Sequence, residues 1–258
     1  MVIEKPELDS VKQVKTLKDI VNWRLYQLDE WIAPRLCDAL IVISSRLALH
    51  YQKWIHKTSL VGVFTPYHSV DKPLKHDNNS SSFSIGYFGT FADKDDNDTL
   101  IKSFDYCKSH IPNAQLKLIG NAPTNRSYLL TRSDIINIRD VSNEDMHGHL
   151  LSCDVLISIR KNNAFAHHGF PSKLAEYIAT GVPVIATPTS DVPELFTDGD
   201  TIKFVPHSDY HALGEAIIEV KQNPDKYFAI AKNALTWAKW NWDPEKVLGH
   251  WMVGVLGE

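Results

Sequence analysis

"HHGFPSKLAEYIATGVPVIAT", residues 167–187, decides how the rest of the chain is read. It parses as a loop, then a helix opening at Pro171 and closing before Gly181, then a strand of valine and isoleucine. Proline at the first helical position and glycine just past the last are the expected punctuation of a helix. Lys173 breaks the expectation. A cation is disfavoured near a helix N-terminus, where unpaired N–H groups already carry partial positive charge. One resolution is an anion held jointly by the first-turn amides and the ammonium.

Outward from this stretch the pattern is regular. Apolar strands read at "FSIGYFGTF", "QLKLIG", "DIINIR", "DVLISIR", "VPVIAT" and "TIKFVP". Helical stretches lie between them, such as "NDTLIKSFDYCKSH" and "SNEDMHGHLLSC", the second opening on Ser142 with Asp145 three residues on, close to a capping box. Alternating strands and helices imply a parallel sheet covered on both faces, an α/β doubly wound, Rossmann-like fold. The nearly continuous apolar strands are what burial on both faces requires. Two helices follow, "DYHALGEAIIEVKQN" and "PDKYFAIAKNALTWAKWNW".

Ahead of this unit stand a helical pattern over about residues 10–36, a strand "ALIVIS", a helix "SRLALHYQKW" and a strand "LVGVFTP". Residues 71–82, "DKPLKHDNNSSS", have the composition of a linker. The expected organisation is therefore 1–70 as the end of one Rossmann-like domain, 71–82 as linker, 83–240 as a second domain, and 241–258 as an amphipathic tail.

The totals exclude several classes. The chain has 258 residues, 43% hydrophobic and 22% charged, and a net charge of -4. That balance argues against a broad basic face for nucleic acid. Three cysteines, far apart in sequence, make neither a disulfide framework nor a four-ligand zinc site. No run is long and apolar enough to span a membrane, and the N-terminus lacks the apolar core of a signal peptide. A cytoplasmic location is expected. The Trp-rich amphipathic stretch "KDIVNWRLYQLDEWIAPRL" packs on protein or lies at the inner membrane surface as a peripheral contact.

Ligands of open α/β sheets bind beyond the carboxyl ends of the strands. Three loops qualify: "TFADKDDND" after the first strand of the second domain, "NAPTNRS" after the next, and "KNNAFAHHGF" leading into the opening helix. On that helix Glu176 lies three residues past Lys173 and four past Ser172, so all three share one side. At the α-helical rise Glu176 stands roughly 5–6 Å along the axis from the phosphate-binding end. The separation suits a nucleotide, with phosphate at the helix tip and a carboxylate on the ribose hydroxyls. A Lys173–Glu176 surface pair fits the spacing equally well.

"PSKLAEYIATGVPVIATPTSDVPEL" resembles the donor-site segment of the family-four (group 1) retaining glycosyltransferases, which have the two-Rossmann-domain, B-type (GT-B) fold. "SIGYFGTF", "AQLKLIGNAP" and "IINIRDVSNEDMHGHLLSCDVLIS" are similar to the preceding segments of that donor domain, in order. "CDALIVISSRLALHYQKW" and "GVFTPYHSVD" resemble the end of the family's N-terminal domain and the crossover. The resemblance covers roughly residues 30–245.

It implies an enzyme that moves a sugar, with retention, from a nucleotide-diphosphate sugar to a glycan or lipid-linked acceptor, as in polysaccharide biosynthesis. Glu176 matches the carboxylate that holds the ribose. His168 occupies the position, eight residues earlier, where many members place a glutamate against the sugar, and is the candidate catalytic residue. Gly169, Phe170 and the amides at Ser172, Lys173 and Leu174 match the loop around sugar and diphosphate. Lys173 would neutralise the leaving diphosphate, an electrostatic contribution of the kind that dominates such sites. Gly89, Thr90 and Lys94 match the loop after the first strand. Neither a cofactor nor a metal is required in the family.

The chain departs from the family at His168, at Thr90 (an arginine in many members), and at Lys94, displaced by one position, with Arg160 and Lys161 as alternative cations. The early N-terminal domain has no counterpart here, which implies a shortened product or a partner chain that completes the cleft. A non-catalytic donor-binding subunit and a sugar-nucleotide epimerase on the same fold are the competing functions. "DKDDND" at 93–98 reads as capping and turn chemistry in preference to a metal site. "HGH" at 147–149 reads as solvated. The resemblance implies that 241–258 is a C-terminal helix packing back on the N-terminal part, so that "WAKWNWDPEKVLGHW" reads as core packing in preference to sugar stacking.

Overall fold

In the computed structural model residues 40–52, 58–60, 82–89, 91, 95–120 and 131–243 are described, with 32 and 36 as isolated positions. The segment 18–36 (those two positions apart), the linker up to residue 81 and the tail 244–258 lie outside them.

Six parallel strands form the main sheet: β3 (Phe83–Phe88), β4 (Ala114–Ile119), β5 (Ile135–Ile138), β6 (Val155–Ser158), β7 (Val184–Ala186) and β8 (Lys203–Phe204). Their spatial order is β5-β4-β3-β6-β7-β8, the doubly wound order whose direction of build reverses between its first and fourth strands. A separate parallel pair joins β1 (Leu40–Val42) to β2 (Thr58–Leu60), with α1 (Ser45–Tyr51) between them. The sequence reading placed that second strand at "LVGVFTP"; β2 ends where that stretch begins, at Leu60, and residues 61–66 lie outside the described set.

The helices are α2 (Asn97–Lys108), α3 (Asn143–Leu151), α4 (Ala164–His168), α5 (Ser172–Thr180), α6 (Val192–Leu195), α7 (Tyr210–Gln222) and α8 (Pro224–Asn241). Their ends follow local chemistry. Ser142 caps α3, its hydroxyl taking the Asp145 N–H at 3.1 Å. Asp209 caps α7 through the Ala212 N–H. Gly181 ends α5 at φ 69, left-handed backbone that glycine adopts without a Cβ penalty.

Alternation along the strands feeds two separate cores, because successive side chains point to opposite faces. Ile85, Tyr87, Leu116, Leu118, Val155, Ile157 and Ile185 join Leu100, Phe104, Leu213 and Ile217 of α2 and α7. Ile119, Leu156, Val184 and Ala186 join Leu150, Leu174, Ile178, Ala234 and Trp242 on the other face. Both faces are covered, which accounts for the nearly continuous buried runs of the inner strands β3, β6 and β7.

Candidate functional site

The reversal of strand order opens a crevice beyond the carboxyl ends of β3 and β6. An antiparallel bridge between Asp95 and Arg160 joins the segments that follow those two strands. The N-terminus of α5 enters beside them.

Lys173 is buried there, with 8% of its surface exposed. Its Nζ donates to Asp95 Oδ2 at 2.9 Å and to Tyr87 Oη at 3.1 Å. It stands 4.4 Å from the centre of the Tyr87 ring, within cation–π range. Tyr87 Oη in turn donates to the same Asp95 oxygen at 2.6 Å. Burial first, then the Asp95 charge and hydrogen bond, hold the Tyr87 phenol far above its ordinary pKa. The mismatch of a lysine in a helix's first turn is thus met by a carboxylate of the chain itself, delivered from the segment before α2. Asp95 is 2% exposed, and its second oxygen, Oδ1, is buried without a hydrogen bond among the described residues. A Cβ on Gly89 would lie 3.0 Å from Lys173 Nζ, so the glycine permits the ammonium's approach to the end of β3.

Glu176 is half-buried one turn further along α5. Burial raises its pKa and the Lys173 charge opposes the rise. Its Oε2 is buried with no hydrogen-bond partner among the described residues. The α5 N-terminus has no side-chain cap: Pro171 occupies that position, and its carbonyl takes the Leu174 N–H at 2.8 Å. Ser172 is exposed, whereas Leu174 lies wholly in the core.

His168 closes α4, a short helix where the sequence reading expected a loop. Asn163 makes the difference, its side chain capping the helix through the Ala166 N–H at 2.8 Å. His168 Nδ1 donates to the Ala164 carbonyl one turn back at 2.7 Å, leaving Nε2 as the ring's other polar atom. Gly169 is buried, with extended backbone. Phe170 is buried and packs edge-on against Trp242, at 6.1 Å between ring centres. Thr90 and Lys94 lie outside the described residues. Of the alternative cations, Lys161 is exposed and Arg160 is 3% exposed, its backbone held by Thr187 and His207.

Tyr87, Asp95 and Tyr177 are structural members of the site that the sequence reading did not single out. Tyr177 Oη takes the Phe88 N–H at 2.7 Å, fixing α5 to the end of β3. Asp95 lies inside the "DKDDND" run, whose composition alone reads as capping and turn chemistry or a metal site. Asp96 does cap α2, accepting from the Thr99 N–H, and also takes the Ser208 hydroxyl. Among the described residues no three His, Cys, Asp or Glu side chains are grouped to hold a metal. At the C-terminal aromatic run, Trp237 and Trp242 pack in the core with Phe196, and Trp240 is exposed.

The family profile described as glycosyl transferases group 1 matches residues 82–223, more than half of the chain. The chain belongs to that family. A GDP-mannose-dependent alpha-(1-6)-phosphatidylinositol monomannoside mannosyltransferase of Mycolicibacterium smegmatis is 26% identical over 153 residues, 56% of this chain and 40% of that protein. The match thus spans two fifths of that relative's length. Among solved structures, Anabaena HepE in complex with UDP and glucose superposes with a TM-score of 0.71 at 15% identity, over 96% of this chain and 70% of that one. The pneumococcal O-GlcNAc transferase GtfA, in complex with UDP and GlcNAc, gives 0.66 at 16%, over the whole of this chain and 52% of that one. At such identities the likeness is one of fold, that of the B-type glycosyltransferases.

Proposed function

We propose that the chain binds a nucleotide-diphosphate sugar at the β3–β6 crevice and transfers the sugar, with retention, to a glycan or lipid-linked acceptor. The observation that carries this reading is Glu176: a half-buried side chain whose buried Oε2 has no hydrogen-bond partner among the described residues, one turn from an uncapped helix N-terminus. A buried acceptor left unmade costs about 1–3 kcal/mol, and ribose hydroxyls are donors of the right kind. The membership of the chain in the group 1 family and the UDP held by its structural neighbours support the same ligand class.

In this reading the diphosphate lies at the first turn of α5, near Ser172 and Lys173, and the sugar extends toward His168 and Gly169. When the bond from the anomeric carbon to the diphosphate breaks, negative charge grows on the leaving oxygen. A fixed ammonium beside that oxygen stabilises the charge without having to reorganise. Lys173 is fixed in this sense, held by Asp95 and Tyr87 before any ligand arrives. Because Asp95 offsets part of its charge, the α5 amides and Arg160 share the work. His168 Nε2 is available to a sugar hydroxyl while Nδ1 stays engaged by the helix. The acceptor then approaches from the face the diphosphate leaves, which gives retention.

Calorimetric titration with UDP, GDP and ADP tests the reading. One nucleotide is expected to bind, and Glu176→Gln to weaken it about tenfold, the loss of one charge-assisted hydrogen bond. A folded chain that binds none of the three at millimolar concentration would overturn it and leave a degenerate domain as the better description.

A further inference from the structure

Three segments meet around His168 in a closed ring of hydrogen bonds. Ser190, in the connection between β7 and α6, donates its N–H to His167 Nδ1 at 3.3 Å. His167 and His168 are the last two residues of α4, and the His168 carbonyl accepts from Ser44 Oγ. The next residue, Ser45, donates its N–H to Asp191 Oδ2 at 2.7 Å and its hydroxyl to the same oxygen at 3.1 Å. Asp191 follows Ser190, and the ring closes.

Two features mark the ring as more than incidental packing. Asp191 precedes α6 yet makes no side-chain cap on that helix, although aspartate is among the preferred residues for the task. Its carboxylate instead crosses to α1, where it is 6% exposed. Ser190 adopts φ 56, left-handed backbone unusual for a residue with a Cβ, and its Oγ is buried with no hydrogen bond among the described residues. Strain and an unsatisfied hydroxyl persist only where the surroundings over-determine them. Here the left-handed turn is what aims the Ser190 N–H at His167 and the Asp191 carboxylate at Ser45.

We propose that Asp191 is a positioning residue: through Ser45 and Ser44 it sets the His168–Gly169 turn and ties α1 to the sugar side of the crevice. The ring stands on its own geometry; its consequence for sugar transfer rests on the donor reading above. His168 would be placed by its own carbonyl, held from α1, while His167 is held from the β7 side. Loss of either grip is expected to loosen the end of α4, a helix of five residues.

Hydrogen exchange of the full chain, read by mass spectrometry for Asp191→Ala and Asp191→Asn, tests the ring. Asp191→Ala is expected to speed exchange at Ser45 and across 164–169 on the order of tenfold, with α2 unchanged, the scale of one lost hydrogen bond to a charged group. Asp191→Asn keeps an accepting oxygen of the same reach and is expected to restore protection. Unchanged exchange across 164–169 in the alanine variant, or an asparagine variant as open as alanine, would overturn the proposal. If Asp191→Ala does not fold, Ser44→Ala removes the link to the His168 carbonyl, and the same rise across 164–169 is expected; unchanged exchange there overturns the proposal equally. A parallel titration of the unaltered chain with UDP, GDP and ADP separates the two readings. Absence of binding sinks the donor site, while the exchange data judge the ring.

Discussion

Lys173 and Asp95 form an ion pair with neither partner more than a tenth exposed. A buried pair adds little over a well-packed apolar replacement, but removing one partner alone leaves an uncompensated charge worth about 3–5 kcal/mol. Lys173→Met is therefore expected to destabilise the chain by about that much, and Lys173→Met with Asp95→Asn to recover most of the loss. Denaturant unfolding of the two variants measures the difference; equal stability of single and double variants would show that the pair is not closed in solution. His167 gives a second prediction at this scale. Burial, the nearby Arg46 charge, His207 and His168 lower its pKa. Its Nδ1 accepts the Ser190 N–H and Nε2 faces Asn162 Oδ1 at 2.8 Å, so protonation at Nδ1 opposes the ring. The folded state binds fewer protons here than the unfolded chain. The stabilising contribution is thus fully present above the ordinary histidine pKa of about 6.5 and is lost as pH falls through the lowered folded value. The melting temperature is expected to fall below about pH 6.5 less steeply in His167→Asn than in the unaltered chain.

Among the elements, the end of β3 and the first turns of α5 are joined by specific side-chain contacts. The Tyr177 hydroxyl accepts from the Phe88 N–H, the Lys173 ammonium sits at the Gly89 backbone, and Gly89 itself has φ 152. Gly89→Ala would press a methyl to 3.0 Å from Nζ, in backbone that side chains rarely adopt. The lysine is held there by Asp95 and Tyr87. The variant is expected to lose about 1–3 kcal/mol of stability, and nucleotide affinity with it. An equally stable variant with unaltered binding would show that the strand end moves at little cost.

The whole molecule buries two thiols in its two cores. Cys107 lies on the α2 side and Cys153 on the α3 side. Burial pushes both thiols up to about 12. Since the thiolate is the reactive form, both are expected to resist alkylation at neutral pH until the cores open. With Cys37, which lies outside the described residues, replaced by serine, labelling rates against denaturant should track unfolding of the two faces. Coincident curves would make the two cores one cooperative unit. Rapid labelling of Cys153 in native buffer would place the α3 face among the locally opening parts.

The parallel sheet, its strand positions and the capped helices were legible in the sequence, because each rests on local information. Apolar runs mark doubly covered strands, and serine, aspartate, proline and glycine mark helix ends within a turn of where they act. The short helix before His168 was missed, since a five-residue helix carries too little periodicity to stand out from a loop. That Lys173 and Glu176 stand within one turn of each other on α5 was legible in the sequence. What occupies Lys173 was not: Asp95 is 78 residues away in sequence, and nothing local links them. The same holds for the ring around His168, whose members come from positions 44–45, 167–168 and 190–191. Side-chain partners brought together by a sheet crossover are fixed by where the strand order reverses, a property of the packed layers and of no single segment. The sequence by itself determined the strands of the main sheet, the longer helices and the family; only the tertiary structure decided which charges face one another across the crevice.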